Sequence, residues 1–148
     1  MLSDSIDQEI KAAMLAKDSA RLRGLRAIKA AFLLAKTEKG SSDALTEDTE
    51  IKLMQKLIKQ RRESADIYKQ QGREDLCKVE EEEIEVISGF LPVQLSRAEV
   101  EKVIETLIHT SGATTVKDMG KVMGLASKEL AGKADGKLIA EIVKAKLQ

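Results

Sequence analysis

The sequence predicts an all-α protein made of two helical subdomains. Proline occurs only at Pro92 in 148 residues, and the abundant Ala, Glu, Lys and Leu residues are good helix formers. Hydrophobic residues make up 43% of the chain but aromatic residues only 2%, so the cores must be built from aliphatic side chains. A chain of this length accommodates one domain or two small ones.

Residues 1–94 are expected to form an N-terminal subdomain of about four helices. Helix 1 is predicted to open at a capping box of Ser5 and Gln8, and helix 2 to run to about Lys39. The apolar residues assigned to their inner faces are Ile6, Ile10, Ala13, Met14 and Leu15 in helix 1 and Leu22, Leu25, Ile28, Phe32 and Ala35 in helix 2. Helix 2 also carries a basic flank, interpreted as a solvated face in preference to a phosphate contact, at Arg21, Arg23, Arg26 and Lys29.

A polar loop at Gly40–Asp43 separates helix 2 from helix 3. Thr46 is predicted to cap helix 3, which stops near Gln71-Gly72, and helix 4 begins at about Arg73. Helix 4 contains the acidic run Glu80–Glu83, which we interpret as a solvated face because no second ligand cluster completes a metal or acid/base site. Its expected partners on helix 3 are Lys59, Arg61 and Arg62.

The boundary between the subdomains is predicted at Pro92, which forces the preceding residue into an extended conformation and so ends helix 4. A Ser96-x-x-Glu99 capping box then opens helix 5, which ends near Ser111-Gly112. The division is therefore placed between residues 1–94 and residues 95–148.

The C-terminal subdomain is expected to contain about three helices. A Thr115-x-x-Asp118 capping box starts helix 6, and Gly132 is a natural left-handed stop near its end. Asp135 is a natural N-cap for a last helix over residues 138–147. The stretch Gly120–Lys137 between these points alternates glycines and lysines with apolar residues, and spacing alone favours an ordinary helical hairpin.

Composition excludes several classes of function. Charged residues make up 34% of the chain and balance to a net charge of zero, which does not favour an overall polyanion binder. The scarcity of aromatic residues argues against binding of single strands by base stacking. Cys77 is the one cysteine and His109 the one histidine, so we predict no disulfide, metal site or cofactor. We find no apolar run long enough for a membrane span and no signal peptide, and predict a cytoplasmic location.

Charge is unevenly distributed along the chain. Residues 115–148 contain four acidic residues, Asp118, Glu129, Asp135 and Glu141. Against these stand seven lysines, Lys117, Lys121, Lys128, Lys133, Lys137, Lys144 and Lys146. A short basic helical region of this kind would contact a phosphate backbone while the rest of the chain does something else.

A series of short motifs in a fixed order resembles the YqeY family over nearly the whole chain. The motifs are Arg62-Glu63-Ser64, Tyr68, Gly72-Arg73-Glu74-Asp75-Leu76, Glu80, Glu83-Ile84-Glu85, Phe90-Leu91-Pro92-x-Gln94-Leu95, Gly112-Ala113, Met119-Gly120-Lys121-Val122-Met123 and Gly132–Leu138. The C-terminal part is also similar to the tail domain of GatB, the tRNA-binding subunit of the glutamine-dependent aspartyl/glutamyl-tRNA amidotransferase. The pattern shared with GatB is Gly120-x-x-Met123, Gly132-Lys133-Ala134 and Leu138-Ile139.

The resemblance implies two all-α subdomains and a module that helps to hold tRNA while the chemistry sits elsewhere. It implies tRNA, and an amidotransferase or aminoacyl-tRNA synthetase assembly, as partners. The residues expected to contact the tRNA backbone are Lys121, Lys133 and Lys137, with Gly120 and Gly132 allowing a close approach of the backbone. The chain departs from the GatB pattern at Asp135-Gly136, where Asn-Pro is common, and a carboxylate there competes with phosphate for the amides of the helix N-terminus.

Two alternatives stay open at this stage. One is a helical protein-interaction domain without nucleic-acid binding, which the neutral charge and Asp135 favour. The other is part of a carbon–nitrogen ligase with glutamine as the amide-nitrogen donor. Catalysis by the chain alone is not predicted, because Gly40-Ser41-Ser42 lacks a lysine partner, Cys77 lacks a predictable histidine neighbour, and the Gly132-Lys133 region has the wrong spacing for a P-loop.

Overall fold

The computed structural model describes residues 1–38 and 45–148. These residues form α-helices and a single 3-10 turn, with no strand in either range, so the all-α prediction is confirmed. The helices are α1 (Leu2–Leu15), α2 (Ser19–Glu38), α3 (Glu47–Gln70), α4 (Glu74–Ser88), α5 (Arg97–Ser111), α6 (Met119–Glu129) and α7 (Gly136–Leu147), and the 3-10 turn is Val116–Asp118. The chain divides into two compact units, an N-terminal unit (Met1–Leu91) and a C-terminal unit (Pro92–Gln148).

The N-terminal unit is built around the long α3–α4 hairpin. Helix α2 packs against both helices of this hairpin, and α1 packs against α2. The buried core of this unit consists of Ile6, Ala13, Leu25, Ile28, Phe32, Ala35, Leu45, Met54, Ile58 and Ile87. The core is aliphatic apart from Phe32, as the composition requires, and burial of these side chains is the main stabilising term.

Helices α2 and α4 approach each other closely at Gly24. A Cβ atom added at this position would lie 2.6 Å from Val86 Cγ1 and 2.9 Å from Val86 Cβ, which is closer than carbon atoms pack. Gly24 is therefore the point at which the missing side chain lets the two helices touch.

The C-terminal unit is a three-helix arrangement in which α5, α6 and α7 pack against one another. Its core is purely aliphatic and consists of Val100, Ile104, Val122, Ala126, Leu130, Ala134, Ile139, Ile142, Val143 and Leu147. Each unit thus has its own core, which is what defines a separately packed body.

Several predicted helix ends are confirmed. The Thr49 amide donates to Thr46 Oγ1 (3.2 Å) at the start of α3, and the Lys137 amide donates to Asp135 Oδ1 (3.2 Å) at the start of α7. At the start of α5 the two bonds of the Ser96-x-x-Glu99 capping box are both present. These side chains satisfy amides that have no partner within their own helix.

The predicted start of the first helix is wrong. Helix α1 begins at Leu2, and the Ser5 hydroxyl donates to the Leu2 carbonyl (3.4 Å) instead of forming a capping box with Gln8. The cap comes from α3, where the Glu50 carboxylate accepts bonds from the Ser3 amide (3.1 Å) and the Ser3 hydroxyl (2.8 Å). Glu50 is only 2% exposed, and its negative charge suits the N-terminus of α1.

The inner face predicted for the first helix is also partly wrong. Met14 and Leu15 are 55% and 77% exposed, because α1 ends at Leu15 and Lys17 turns the chain with a φ of 54°. Two further apolar residues, Val79 of α4 and Leu125 of α6, are exposed as well. The predicted end of helix 2 at Lys39 and the loop Gly40–Asp43 lie outside the described residues.

Replacing Gly24 with alanine is expected to destabilise the N-terminal unit by about 1–3 kcal/mol, because Val86 is β-branched and its Cβ cannot rotate away from the new methyl group. Urea denaturation followed by the fluorescence of Tyr68, the chain's one tyrosine and a residue of this unit, measures the effect, since the chain has no tryptophan.

Gly124→Ala is the matched control. Nothing lies within 4 Å of a Cβ atom at this position of α6, so alanine is expected to leave the C-terminal unit as stable or to stabilise it by up to about 1 kcal/mol. Equal effects of the two substitutions, measured by hydrogen exchange in the respective helices, would contradict the close contact at Gly24.

Candidate nucleic-acid interface

The residues predicted to contact tRNA all lie in the C-terminal unit, around α6. Gly120 and Lys121 are in the first turn of α6, Gly132 and Lys133 form the turn after it, and Lys137 is in the first turn of α7. The three lysine side chains are exposed, and a Cβ atom added at Gly120 would meet nothing within 4 Å. The predicted residues are therefore accessible to a large ligand.

The structure does not bring all of these residues together. Lys121 and Lys133 lie toward opposite ends of α6, because the helix rises by about 13 Å between residues 121 and 130. Lys133 and Lys137 flank the short turn that leads into α7. A phosphate backbone that contacted all three lysines would have to run along α6.

Lys121 has a partner at its end of α6. Its ammonium group donates to the carbonyl of Ser111 (3.5 Å), the last residue of α5, where a positive charge complements the helix dipole. Nearby, the Asp118 carboxylate accepts bonds from the amides of Thr114 (3.0 Å) and Thr115 (3.4 Å). These two amides, with a smaller contribution from Lys121, hold the pKa of Asp118 below its usual range.

The turn at the other end of α6 is held by main-chain bonds. Gly132 has a φ of 74°, and the Lys133 amide donates to the Leu130 carbonyl (2.9 Å). The Lys133 carbonyl accepts from the Leu95 amide (2.9 Å), and the Gly132 carbonyl accepts from the Gln94 side-chain amide (2.6 Å). The backbone of Lys133 is thereby fixed while its side chain points to solvent.

Asp135 changes how phosphate would bind at this turn. Its carboxylate already accepts the bond from the Lys137 amide, which is one of the donors that an anion at the N-terminus of α7 would use. The side chains of Lys133 and Lys137, and not the helix terminus, are therefore the groups left for phosphate.

The basic flank of α2 is largely paired within the N-terminal unit. Arg21 contacts Glu9 (2.8 Å) and Lys29 contacts Asp7, both residues of α1. Exposed ion pairs contribute only about 0–1 kcal/mol each, but they occupy the cations. The interpretation of this flank as an ordinary helix face, in preference to a phosphate site, agrees with these pairs.

The acidic run of α4 is paired as well. Arg61 of α3 lies with its Nε 3.5 Å from Glu83 Oε2, so the expected pairing is confirmed for Arg61. Arg23 of α2, which the sequence did not suggest, contacts Glu82 (2.7 Å) and Glu83 (3.8 Å). Burial and the neighbouring Glu83 charge raise the pKa of Glu80, while Arg61 opposes the shift.

The lysines of the C-terminal unit contrast with these paired cations. Lys146 contacts Glu105 (2.6 Å). Over residues 1–38 and 45–148, no acidic side chain lies within ion-pair distance of Lys117, Lys121, Lys128, Lys133, Lys137 or Lys144. This contrast between the two units, and not the total charge, distinguishes the C-terminal unit as the candidate for contact with phosphate.

A shallow open groove of about 410 Å³ lies at the end of α5, lined by Glu105, Ile108, His109, Gly112, Ala113, Thr114 and Lys146. Its two charged groups, Glu105 and Lys146, bind each other. The groove contains none of the residues predicted to contact tRNA.

Groups suited to metal binding or covalent catalysis are not assembled in the described part of the chain. No cluster of three or more His, Cys, Asp or Glu side chains suited to a metal occurs there. Cys77 is buried, and burial together with the bond from its thiol to Glu81 (3.5 Å) raises the pKa of the thiol, the opposite of what activates a cysteine nucleophile. Nor does any helix of the described ranges combine the length and apolarity needed to cross a membrane.

A sequence profile of the family described as Yqey-like protein matches residues 3–147, and the chain belongs to this family. The resemblance drawn from the sequence motifs is thereby confirmed.

Two relatives show what else the chain is similar to. Over 129 residues it is 30% identical to "Altered inheritance of mitochondria protein 41, mitochondrial" from Clavispora lusitaniae, a match that covers 87% of this chain and 74% of the relative. Over 135 residues it is 33% identical to a glutamyl-tRNA(Gln) amidotransferase subunit from Thermococcus sibiricus, a match that covers 84% of this chain but only 21% of the relative. The predicted relationship to a tRNA amidotransferase subunit is confirmed, over about a fifth of that relative's length. The cytoplasmic location stays a prediction, since one relative carries a mitochondrial name.

Asp118→Asn is expected to destabilise the C-terminal unit at neutral pH, because it removes the charge that the Thr114 and Thr115 amides stabilise. The pKa of Asp118 is lowered in the folded state, so its contribution is present above the unfolded value of about 3.9 and is lost as pH falls through the lower folded value. The difference between wild type and variant in hydrogen exchange of this unit should therefore shrink below about pH 4.

Asp66→Asn serves as the control, since Asp66 lies on the exposed side of α3 and forms no side-chain bond within the described ranges. A difference at Asp118 that stays constant down to the acid limit would contradict the role assigned to its charge.

Proposed function

We propose that this protein is a tRNA-binding module that has no catalytic activity of its own and acts with an assembly for glutamine-dependent tRNA amidation. The observation that carries the proposal is the contrast in pairing described above: the cations of α2 and α3 contact carboxylates, whereas the lysines around α6 and α7 do not. Lysines without carboxylate partners are available to replace counterions on a polyanion.

The similarity to the Thermococcus sibiricus amidotransferase subunit supports the assignment of tRNA as the polyanion. A folded tRNA would be recognised by shape and phosphate contacts, which do not require the aromatic platforms that the chain lacks. Lys133 and Lys137 would form the main contact because their turn is rigid, and Lys121 would extend the contact along α6. In this proposal the amide-forming chemistry belongs to other chains, an amidotransferase or an aminoacyl-tRNA synthetase assembly.

A protein-interaction domain without nucleic-acid binding is the second candidate. Leu33 and Leu34 favour it, since these adjacent residues of α2 are 53% and 60% exposed. Adjacent exposed leucines are typical of surfaces that another protein covers, although two residues form only a small patch.

The two candidates are separated by the binding of unfractionated tRNA, measured by fluorescence anisotropy over a salt series. The double variant Lys133→Ala/Lys137→Ala is expected to bind about 10-fold more weakly, and the slope of log affinity against log salt should fall by about 1.4–1.8, because two phosphate contacts are lost. The bond from the Lys137 amide to Asp135 is made by the main chain and should survive the substitution.

The matched control is Lys52→Ala/Lys56→Ala, which removes two exposed lysines from α3 and changes the net charge by the same amount. Equal losses in the two double variants would mean nonspecific attraction. No binding by the wild type at low salt would exclude tRNA and favour the protein-interaction domain.

A further inference from the structure

Gln94 is an exposed residue that ties two distant segments of the C-terminal unit together. Its side-chain amide carries two N–H donors, and both are bonded, one to the Pro92 carbonyl (2.9 Å) and one to the Gly132 carbonyl (2.6 Å). One side chain thereby joins the extended segment before α5 to the turn after α6, across 38 positions of sequence. A neutral amide group is suited to this task because it supplies two donors without adding charge.

The main chain repeats the same connection one residue further along. The Leu95 amide donates to the Lys133 carbonyl (2.9 Å), so two successive carbonyls of the turn are held by two successive residues of the segment. Leu95 also packs against the core of the C-terminal unit. Between Pro92 and Gln94, by contrast, Val93 is 85% exposed and its side chain contributes nothing to this attachment.

From these contacts we infer that Gln94 is a positioning residue for Lys133. The inference rests on the proposed function and deepens it, because it names the group that holds the phosphate-contacting turn in place. Gly132 adopts a left-handed conformation, which glycine reaches easily but also leaves easily. The bond to its carbonyl restricts that freedom, so Lys133 is presented to phosphate from a fixed backbone and loses less entropy on binding.

The coupling must act in both directions. If the bonds from Gln94 and Leu95 favour the conformation that binds tRNA, then tRNA binding favours those bonds by the same factor. The Leu95 amide is a direct reporter of this coupling, because its hydrogen exchange requires the bond to the Lys133 carbonyl to open.

The test is Gln94→Met, which keeps the length and neutrality of the side chain but removes both donors. Exchange of the Leu95 amide in the free protein should accelerate several-fold. Affinity for unfractionated tRNA should fall about 3–10-fold, and addition of tRNA should slow Leu95 exchange less in the variant than in the wild type. Gln71→Met, at an exposed glutamine after α3 that forms no side-chain bond with the described residues, is the control and should change none of these quantities.

The outcomes separate this inference from the tRNA proposal. The inference is overturned if Leu95 exchange accelerates while tRNA affinity stays at the wild-type value, provided that Lys133→Ala/Lys137→Ala still weakens binding, since Gln94 would then be purely structural. It is likewise overturned if Leu95 exchange is unchanged in Gln94→Met. Failure of the wild type to bind tRNA would remove the proposed function and this inference with it.

Discussion

Left-handed glycines at helix ends are the constraint on which both units depend. Gly72, Gly112 and Gly132 each have a φ near 70°, a region that other residues enter only with strain. At Gly72 the Arg73 amide reaches back to the Tyr68 carbonyl (2.8 Å), a bond that closes the end of α3 and reverses the chain into α4. Aliphatic cores without large aromatic side chains require helices that return directly onto their neighbours, and these turns make that return possible.

The parts of the fold that were predictable are those whose cause is local. The caps at Thr46, Ser96 and Asp135 depend on side chains within three residues of the amides they satisfy, and a linear reading of the sequence detects them. The cap of α1 was missed because its acceptor, Glu50, lies 47 positions away from Ser3. Met14 and Leu15 were misassigned for a related reason: helical spacing defines a face, but only the tertiary arrangement decides how far along the helix that face stays covered.

The candidate site shows the same division between local and distant causes. Sequence reasoning found the lysines of the C-terminal region and the obstacle at Asp135, since both follow from composition and helix-capping rules. It did not find that Arg23 and Glu82, 59 positions apart, neutralise each other, and so could not see that the cations of the two units differ in availability. Nor did it indicate any role for Gln94, whose two acceptors become neighbours only when the turn after α6 folds back onto the segment before α5.

The contact between Gly24 and Val86 has a consequence for how this sequence can vary. Because the two helices meet there without an intervening side chain, positions 24 and 86 share one fixed volume of core. A larger residue at 24 would be accommodated only by a smaller one at 86 or by a wider separation of α2 from α4, which would also lengthen the contacts of Arg23 with Glu82 and Glu83. The packing of the N-terminal core and the neutralisation of its cations are therefore expected to change together, as one inherited trait.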